Sequence, residues 1–299
     1  MIYTVTLNPA LDYCVYTDSI VMGKTNRSSK ENIFFGGKGI NVSRVLCELG
    51  KDNTALGFVA GFTGDALCDA LCSFGVKTDF IKLQSGLTRI NVKLKADVET
   101  EINAQGPDIS LNDIKKLYDK LDNLTGGDTL VLAGSIPKSM PKDIYEQIMS
   151  RLRCKGVRFV VDASGELLQN TLKYRPWLIK PNKDELQELC KRNLTDTEDI
   201  VFAAKELQAQ GAVNVLVSLG KDGAVLVDEH TKVHIKQAIK GSAINTVGSG
   251  DSMVAGFIAG ADKGYKNALL LGTVCGAATA FSADLATKEK IDNLLTEKE

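Results

Sequence analysis

A glycine-rich run near the end of the chain combines a carboxylate with the start of a predicted helix. Residues 245–257 read Asn-Thr-Val-Gly-Ser-Gly-Asp-Ser-Met-Val-Ala-Gly-Phe, so a polar loop leads into a helix of small residues. The unpaired N–H groups of a helix start can stabilise a transferring phosphoryl group, and an ionised aspartate can accept a proton from an attacking alcohol. We predict that Gly248, Ser249 and Gly250 form an anion hole and that Asp251 is the proton acceptor. The alternative is that Asp251 is only an acidic residue favoured in a first helical turn.

Paired glycines also occur near the front of the chain, in the run Gly-Gly-Lys-Gly-Ile-Asn at residues 36–41. Glycine lets a ligand approach the backbone closely, while the Lys38 ammonium and the Asn41 amide can reach hydroxyls or a phosphate. Asp12 follows the first predicted strand, where a carboxylate suits bidentate binding of sugar hydroxyls. These residues, with Gly37, are candidates for binding a substrate. A plain turn with a helix cap, and a turn-forming aspartate, are the structural alternatives.

Other chemistries that use glycine loops or histidines are not supported. A dinucleotide fingerprint needs a third glycine where this chain has Met253, and no Walker sequence G-x-x-x-x-G-K-[ST] occurs. His230 and His234 lie in a stretch that alternates like a β-hairpin, where residues four apart on a strand are roughly 13 Å apart. They are therefore not expected to share a zinc ion. Two histidines outside any Ser or Cys nucleophile context also do not indicate a hydrolase triad.

Composition restricts the class of protein. The 299 residues are 44% hydrophobic and 24% charged, which is enough for a full core, and the net charge is −1. Because acids and bases are interspersed, no basic face for nucleic acid is predicted, and a small-molecule substrate is favoured. The start lacks a basic leader and no long apolar run occurs, so we expect a cytoplasmic protein without membrane contact. The seven cysteines form no C-x-x-C pair and are predicted to be reduced.

The elements that must position these residues follow from apolar periodicity. In the second half, short apolar runs alternate with amphipathic helical stretches, the pattern of βα units around a parallel sheet. The predicted strands there are Thr129–Ala133, Phe159–Asp162, Trp177–Lys180 and Asn214–Ser218. The predicted helices are Lys142–Lys155, Asp184–Cys190 and Asp199–Gly211. A doubly wound α/β core is therefore expected.

The first half has a different pattern of predicted elements. Its predicted strands are Cys14–Thr17, Glu31–Phe35, Thr88–Lys95 and Glu99–Ala104, and its predicted helices are Gly39–Leu49 and Gly64–Phe74. The strands are interrupted by polar turns, which indicates a small sheet that stands off the core. Over a cleft at the carboxyl ends of the core strands, such a sheet would act as a lid.

The two glycine motifs, in this order, resemble the paired signatures of the ribokinase-like superfamily, specifically its phosphofructokinase B branch. Between them, Lys180–Glu185 is similar to the Asn-x-x-Glu element of the family, and Ser218–Gly223 is similar to its nucleotide-phosphate loop. The departure is Ser249, where alanine is more common. The resemblance implies one domain over residues 1–299, with a three-layer α/β/α core, a mostly parallel sheet and a small β-sheet lid. The lid strands would fall approximately at residues 12–35 and 88–104.

Segments in the first half of the chain indicate which sugar substrate the resemblance implies. Thr88–Lys93, Thr100–Asn103 and Gly134–Pro137 are similar to those of bacterial members that act on fructose 1-phosphate. The resemblance thus implies ATP-dependent phosphorylation of fructose 1-phosphate to fructose 1,6-bisphosphate. A tagatose-6-phosphate kinase, or another hexose-phosphate kinase of the family, remains an alternative. A sugar-phosphate-binding regulator on an inactive scaffold is not favoured, because Asp251 and both glycines are present.

The resemblance also implies a role for each site residue. The sugar phosphate would be bound by Asp12, Gly37, Lys38, Asn41, Arg89 and Arg27. ATP would be bound by Asn182, Lys183, Glu185, Ser218, Gly220, Lys221 and Gly223. Mg²⁺ would be held indirectly, through water, by Asn182 and Glu185, and the helix around Thr273–Phe281 would adjoin the adenine. Lid sheets of this family commonly pair between subunits, so a homodimer through the lid is expected.

Overall fold

Fourteen β-strands and ten α-helices occur in residues 1–296, the part of the chain that the computed structural model describes. The strands are β1 (Ile2–Thr6), β2 (Ala10–Tyr16), β3 (Lys30–Gly36), β4 (Asn53–Ala60), β5 (Lys77–Thr78), β6 (Ile81–Leu83), β7 (Arg89–Lys95), β8 (Thr100–Ile102), β9 (Thr129–Ala133), β10 (Arg158–Asp162), β11 (Leu178–Ile179), β12 (Asn214–Ser218), β13 (Ala224–Val227) and β14 (Val233–Lys236). The helices are α1 (Lys38–Glu48), α2 (Gly61–Ser73), α3 (Leu111–Leu121), α4 (Ile144–Leu152), α5 (Gly165–Thr171), α6 (Lys183–Cys190), α7 (Thr197–Ala209), α8 (Ser249–Gly260), α9 (Tyr265–Ala280) and α10 (Lys288–Thr296).

The main sheet has the strand order β14-β13-β12-β11-β10-β9-β1-β4-β5, and β6 also pairs with β4. Strands β12, β11, β10, β9, β1 and β4 pair in parallel, as do β5 and β6 with β4. Only β13 and β14 add antiparallel pairings. The parallel strands therefore end at one common edge, where ligands bind in open α/β sheets.

Alternate residues of the core strands contact different helix layers. Leu130, Leu132 and Val161 are buried in a cluster with helices α3 to α7. Val131 and Val160, their neighbours in sequence, are buried in a second cluster with α1, α8, α9 and α10. A period of two is the pattern of strands that are covered on both faces. The core therefore has three layers, helices on either side of a central sheet.

A separate four-stranded sheet has the order β3-β2-β7-β8. Strand β2 pairs antiparallel with β3 and parallel with β7, and β8 is antiparallel to β7. Its register aligns Tyr13 with Ile33 and Val92, and Val92 with Ile102. Because residues opposite one another share a face, an apolar row crosses all four strands. The other face carries polar residues that include Asp12 and Asn91 on β2 and β7.

The predicted elements occur in the structure, with different bounds in several cases. The strand predicted at Cys14–Thr17 begins earlier, at Ala10, because it pairs along its full length with β3 and β7. The strand predicted at Trp177–Lys180 is shorter, since only Leu178 and Ile179 are in ladder register with both neighbours. The helix predicted at Lys142–Lys155 is also shorter and is α4.

The hairpin predicted around the two histidines is present as β13 and β14. His230 lies in the connecting turn, however, and only His234 is on a strand, so the two do not share a strand as expected. His234 Nε2 lies 2.7 Å from Asp228 Oδ2. Within residues 1–296, no group of three or more His, Cys, Asp or Glu side chains could hold a metal ion. In the same range, no helix has the length and apolar character needed to span a membrane.

Helix α8 is held in place by glycine contacts with α9. A Cβ atom at Gly256 would lie 2.6 Å from the Leu271 carbonyl oxygen and 2.8 Å from Gly272 Cα. Such distances are shorter than any normal contact, so a larger residue would push the two helices apart. The close packing fixes the first turn of α8, which carries Asp251, at the edge of the main sheet.

Candidate active site

A cleft of about 710 Å³ opens at the edge where the parallel strands of the main sheet end, beside the polar face of the small sheet. The predicted site residues that line it are Asp12, Gly37, Lys38, Asn41, Arg89, Asn182, Glu185, Ser218, Gly248, Gly250 and Asp251. They come from the small sheet, from α1 and α8, and from the ends of the core strands. The fold thus joins in one cleft the two glycine motifs that lie about 200 residues apart in sequence.

Helix α8 begins at a residue that must be glycine. Gly248 is the residue before the helix and has φ of 81°, a left-handed conformation. A Cβ atom there would also lie 2.5 Å from Leu285 Cδ2. The Ser249 N–H donates to the Thr246 carbonyl and the Ser252 N–H donates to that of Gly248.

Two N–H groups of this first turn remain available. Among residues 1–296, the N–H groups of Gly250 and Asp251 donate to no backbone or side-chain acceptor. Both residues line the cleft. Unpaired N–H groups at a helix start, with the positive end of the helix dipole, attract an anion. The arrangement can therefore stabilise a phosphoryl group at the start of α8.

Asp251 is buried, with 6% of its surface exposed, and its Oδ2 accepts a hydrogen bond of 2.8 Å from Asn41 Nδ2. Burial, together with the charge of Asp162, raises the pKa of Asp251 to about 7. The Asn41 hydrogen bond and the charges of Lys38 and Lys180 act in the opposite direction but are weaker. A carboxyl group with a pKa close to neutrality is suited to accept a proton and release it again.

Asp162 and Lys180 are cleft residues that sequence reasoning missed as functional. Asp162 ends β10 and was predicted only as the last residue of a strand. Lys180 follows β11 and was predicted to end a strand and to begin the Lys180–Glu185 segment, without a role of its own. Asp162 Oδ1 lies 3.5 Å from Lys180 Nζ and 3.4 Å from Lys38 Nζ. Burial would raise the pKa of Asp162, but Lys180 and Lys38 outweigh burial and hold it below the usual value. A charged residue that ends an otherwise apolar parallel strand was the signal available in the sequence.

The end of the cleft formed by the small sheet carries Asp12 and Arg89. Asn91 Nδ2 donates to Asp12 Oδ1 at 2.8 Å, and Lys93 Nζ lies 3.3 Å from Asp12 Oδ2. The half-buried Arg89 donates from Nε to the Asn8 carbonyl at 3.2 Å. Within the described range its two terminal nitrogens make no hydrogen bond or ion pair. This leaves a guanidinium group free to bind an anion in the cleft.

The opposite end of the cleft contains the Asn-x-x-Glu element at the start of α6. Asn182 Oδ1 accepts from the Glu185 N–H, and Glu185 Oε2 accepts from the Asn182 N–H, both at 2.8 Å. This capping box fixes the two side chains relative to the helix. A bridge between Asn182 and Ser218 places the end of β12 beside it.

Six predicted site residues do not line the cleft: Ser249, Arg27, Lys183, Gly220, Lys221 and Gly223. Arg27 lies in an exposed connection between β2 and β3. The Ser249 hydroxyl oxygen is buried and, among the described residues, has no hydrogen-bond partner. Gly223 follows a short 3-10 turn at Gly220–Asp222 and closes against the Lys236 carbonyl of β14. The loop from Gly220 to Gly223 thus lies outside the cleft wall that Ser218 forms.

Comparison with known proteins identifies the family. The model of the pfkB family of carbohydrate kinases matches residues 5–291. This chain belongs to the pfkB family. The 1-phosphofructokinase of Bacillus subtilis is 46% identical over 99% of this chain and 98% of its own length. The D-tagatose-1-phosphate kinase of Bacillus licheniformis is 37% identical over 98% of this chain and 96% of its own length.

A solved structure supports the same assignment. The structure of the tetrameric inhibited form of phosphofructokinase-2 from Escherichia coli matches 99% of this chain and 98% of its own, with a TM-score of 0.87 and 29% identity. The predicted ribokinase-like α/β fold, with a mostly parallel main sheet and a separate small sheet, is confirmed. The family resemblance predicted from the motifs is also confirmed. The chain is therefore a phosphotransferase of a carbohydrate kinase family, which implies ATP as the phosphoryl donor.

The raised pKa of Asp251 predicts an unusual pH dependence of stability. The folded state holds this proton up to about pH 7, whereas the unfolded chain releases it near 3.8, so Asp251 loses its stabilising contribution as pH rises through 7. Asp251→Asn should therefore raise the free energy of unfolding at pH 8 by about 1 to 4 kcal/mol, and the gain should shrink towards pH 4. Urea unfolding across this range measures it.

Asp228→Asn is the control of opposite sign. Despite its burial, hydrogen bonds from His234 and two backbone N–H groups hold the pKa of Asp228 below its usual value, so this replacement should destabilise the protein at pH 8. An Asp251→Asn protein that is no more stable than the wild type at pH 8 would contradict the assigned environment of Asp251.

Proposed function

We propose that this protein transfers the terminal phosphoryl group of ATP to the free primary hydroxyl of fructose 1-phosphate, which yields fructose 1,6-bisphosphate. The observation that carries the proposal is the position of Asp251. Its buried carboxyl group stands at an anion-binding helix start, in the same cleft as a free guanidinium group that suits the phosphate of the substrate. The 46% identity to a relative named 1-phosphofructokinase supports this choice of sugar.

In the proposed reaction, Asp251 accepts the proton of the sugar hydroxyl as its oxygen attacks phosphorus. The hydrogen bond from Asn41 orients the carboxylate and favours its charged form. The turn from Gly248 to Asp251 acts as the anion hole, and the free N–H groups of Gly250 and Asp251 would carry most of that role. Phosphoryl transfer depends mainly on such positioning and charge stabilisation.

Sugar binding is assigned to the small-sheet end of the cleft. Asp12 would accept hydrogen bonds from sugar hydroxyls, since Asn91 and Lys93 already fix its orientation. Arg89 and Lys38 would bind the substrate phosphate, together with Gly37 and Asn41 from the start of α1. Arg27 lies away from the cleft and is the weakest of the proposed contacts.

ATP is assigned to the other end of the cleft. Asn182, Glu185 and Ser218 line it there. Lys183 would contact the nucleotide from the start of α6, and Gly220, Lys221 and Gly223 would contact it from the loop after β12. Helix α9, which covers most of the stretch Thr273–Phe281, would adjoin the adenine.

Mg²⁺ would be held near Asn182 and Glu185. These two side chains would offer one amide oxygen and one carboxylate. Such a donor set fits an ion that is bound mainly by nucleotide phosphates and water. Bound there, Mg²⁺ would neutralise phosphate charge.

A second candidate substrate is tagatose 1-phosphate. The relative that carries D-tagatose-1-phosphate kinase as its name is 37% identical over nearly the full length. Tagatose 6-phosphate remains the alternative that the motifs leave open. The higher identity to a 1-phosphofructokinase favours fructose 1-phosphate among these hexose phosphates.

We further propose that residues 1–299 act as one kinase domain, with the small sheet as its lid, and that the enzyme works in the cytoplasm as a homodimer. The apolar row across the small sheet supports the dimer, because Ile33 and Ile102 are 52% and 59% exposed. A second copy of the same face would bury both.

The dimer predicts an effect of charge on this row. Ile33→Lys should shift the sedimentation mass from two chains towards one, whereas Lys116→Met, on the surface of α3, should not. An unchanged mass for Ile33→Lys, or a wild type that sediments as one chain, would contradict a dimer through the lid.

Asp251→Asn should lower kcat by a factor on the order of 100 or more with little change in either KM, because the amide cannot accept the proton. Steady-state ADP release measures it. The matched control is Asp113→Asn, which also changes an aspartate in a first helical turn and should leave kcat within about twofold. If Asp251→Asn turns over nearly as fast as the wild type, Asp251 is not the proton acceptor and is only an acidic residue favoured in the first turn of a helix.

The substrate is tested by coupled ADP release with a panel of hexose phosphates. Fructose 1-phosphate should give the highest kcat/KM, above tagatose 1-phosphate, tagatose 6-phosphate and fructose 6-phosphate, and free fructose should give little turnover. Arg89→Met should raise the KM for fructose 1-phosphate on the order of 10-fold, the loss of one charged hydrogen-bonding partner. A preference for another sugar would replace fructose 1-phosphate as the substrate.

A further inference from the structure

Three charged side chains meet in the floor of the cleft. Asp162 is fully buried at the end of β10, Lys180 is 5% exposed beyond the end of β11, and Lys38 is the first residue of α1. Both ammonium groups contact the same oxygen of Asp162, at 3.4 and 3.5 Å. All three residues line the cleft. The carboxylate therefore holds two cations that come from different parts of the chain.

This cluster carries more positive charge than negative charge. Two lysines face one ionised aspartate, and the nearby Asp251 is only partly ionised near neutral pH. Buried charge is costly unless an opposite charge balances it. The two ammonium groups that meet at Asp162 Oδ1 are thus suited to bind an incoming anion, and they lie where Asp251 and the helix start also act.

Lys180 lies against the start of α8. A Cβ atom built at Gly250 would be 3.1 Å from Lys180 Nζ, so the ammonium group adjoins the turn whose Gly250 and Asp251 N–H groups are free. Lys38 reaches Asp162 from the start of α1, on the side of Gly37. Any side chain larger than hydrogen at Gly250 would meet the Lys180 ammonium.

We propose that Lys180 binds the phosphoryl group during its transfer, beside the free N–H groups of α8, and that Asp162 is a positioning residue that holds Lys180 and Lys38 for this purpose. The inference rests on the proposed phosphotransfer at Asp251. The lysines form no covalent bond, so their contribution is charge and position. Lys180 is then a catalytic residue, and Asp162 acts through the two lysines.

The test compares ATP with ADP, which differ by the phosphoryl group in question. Lys180→Met should weaken ATP binding on the order of 10- to 100-fold, as expected for a lost charged hydrogen bond, and change ADP binding less than threefold. Titration calorimetry without sugar gives both dissociation constants. Lys180→Arg should restore part of the ATP preference. Lys116→Met, a lysine on the surface of α3, is the matched control and should change neither constant.

Asp162→Asn tests the positioning role. Asparagine is close in shape to aspartate but carries no charge. The replacement should reduce the ratio of ATP to ADP affinity about as much as Lys180→Met does. The double variant should be little worse than either single one, because both changes remove the same contact. Effects that multiply would overturn the positioning role. If Asp162→Asn fails to fold, Asp162→Glu supplies the second variant: it keeps the charge but displaces it from the two lysines, and it should likewise reduce the ratio of ATP to ADP affinity.

Equal losses for ATP and ADP, or no loss for either, in Lys180→Met would overturn the role of Lys180. These binding measurements are made without sugar and do not depend on which sugar is phosphorylated. If the wild type phosphorylates no hexose phosphate, the proposed function fails, while the comparison of ATP with ADP still decides whether Lys180 contacts the terminal phosphoryl group. Where turnover is measurable, Lys180→Met should also lower kcat on the order of 100-fold.

Discussion

The ionised carboxylate of Asp162 is the interaction on which the electrostatics of the cleft depend. Without it, the ammonium groups of Lys38 and the buried Lys180 would lie close together without the carboxylate that both contact. Its negative charge also acts on Asp251, whose pKa it helps burial to raise. One side chain thus keeps two cations in a dry site and holds a carboxyl group near its neutral form.

The architecture explains why these charges can be placed so close together. Parallel pairing puts the ends of β10 and β11 side by side, so Asp162 and Lys180 become neighbours although they are 18 residues apart. Helix α8 then brings Asp251 to the same edge, because the glycine contacts between α8 and α9 leave no room for it to shift. The left-handed Gly248 turns the chain into that helix. Rigid packing replaces the water that would otherwise solvate the charges.

The predictability of the site from sequence follows the same physics. Local rules identified Gly248 and Asp251, because a glycine before a small-residue helix is a constraint of the backbone itself. They did not identify Asp162 or Lys180. Whether a charged residue at a strand end contacts other charged residues depends on which strand lies next to it, and the local sequence does not show this. Arg27 was chosen for its charge alone, and the structure places it in an exposed connection. The start of β2 at Ala10 was missed for a related reason. Pairing with β3 and β7, rather than the propensity of its own residues, extends the strand beyond the predicted start at Cys14.

The proposed proton transfer and the proposed sugar recognition fall to different parts of the fold. Asp251 belongs to the packed core, whereas Asp12 and Arg89 belong to the small sheet, and the contact from Asn41 to Asp251 links α1 to the core side. A change in the small sheet can therefore alter which hydroxyls are bound without disturbing the charges around Asp251. The residues around Asp251 therefore do not indicate which sugar is bound, because the same arrangement of Asp251, Lys38 and Lys180 is compatible with several hexose phosphates. Under the proposed assignment, sugar preference depends on the small-sheet end of the cleft, where Asn91 and Lys93 fix the orientation of Asp12.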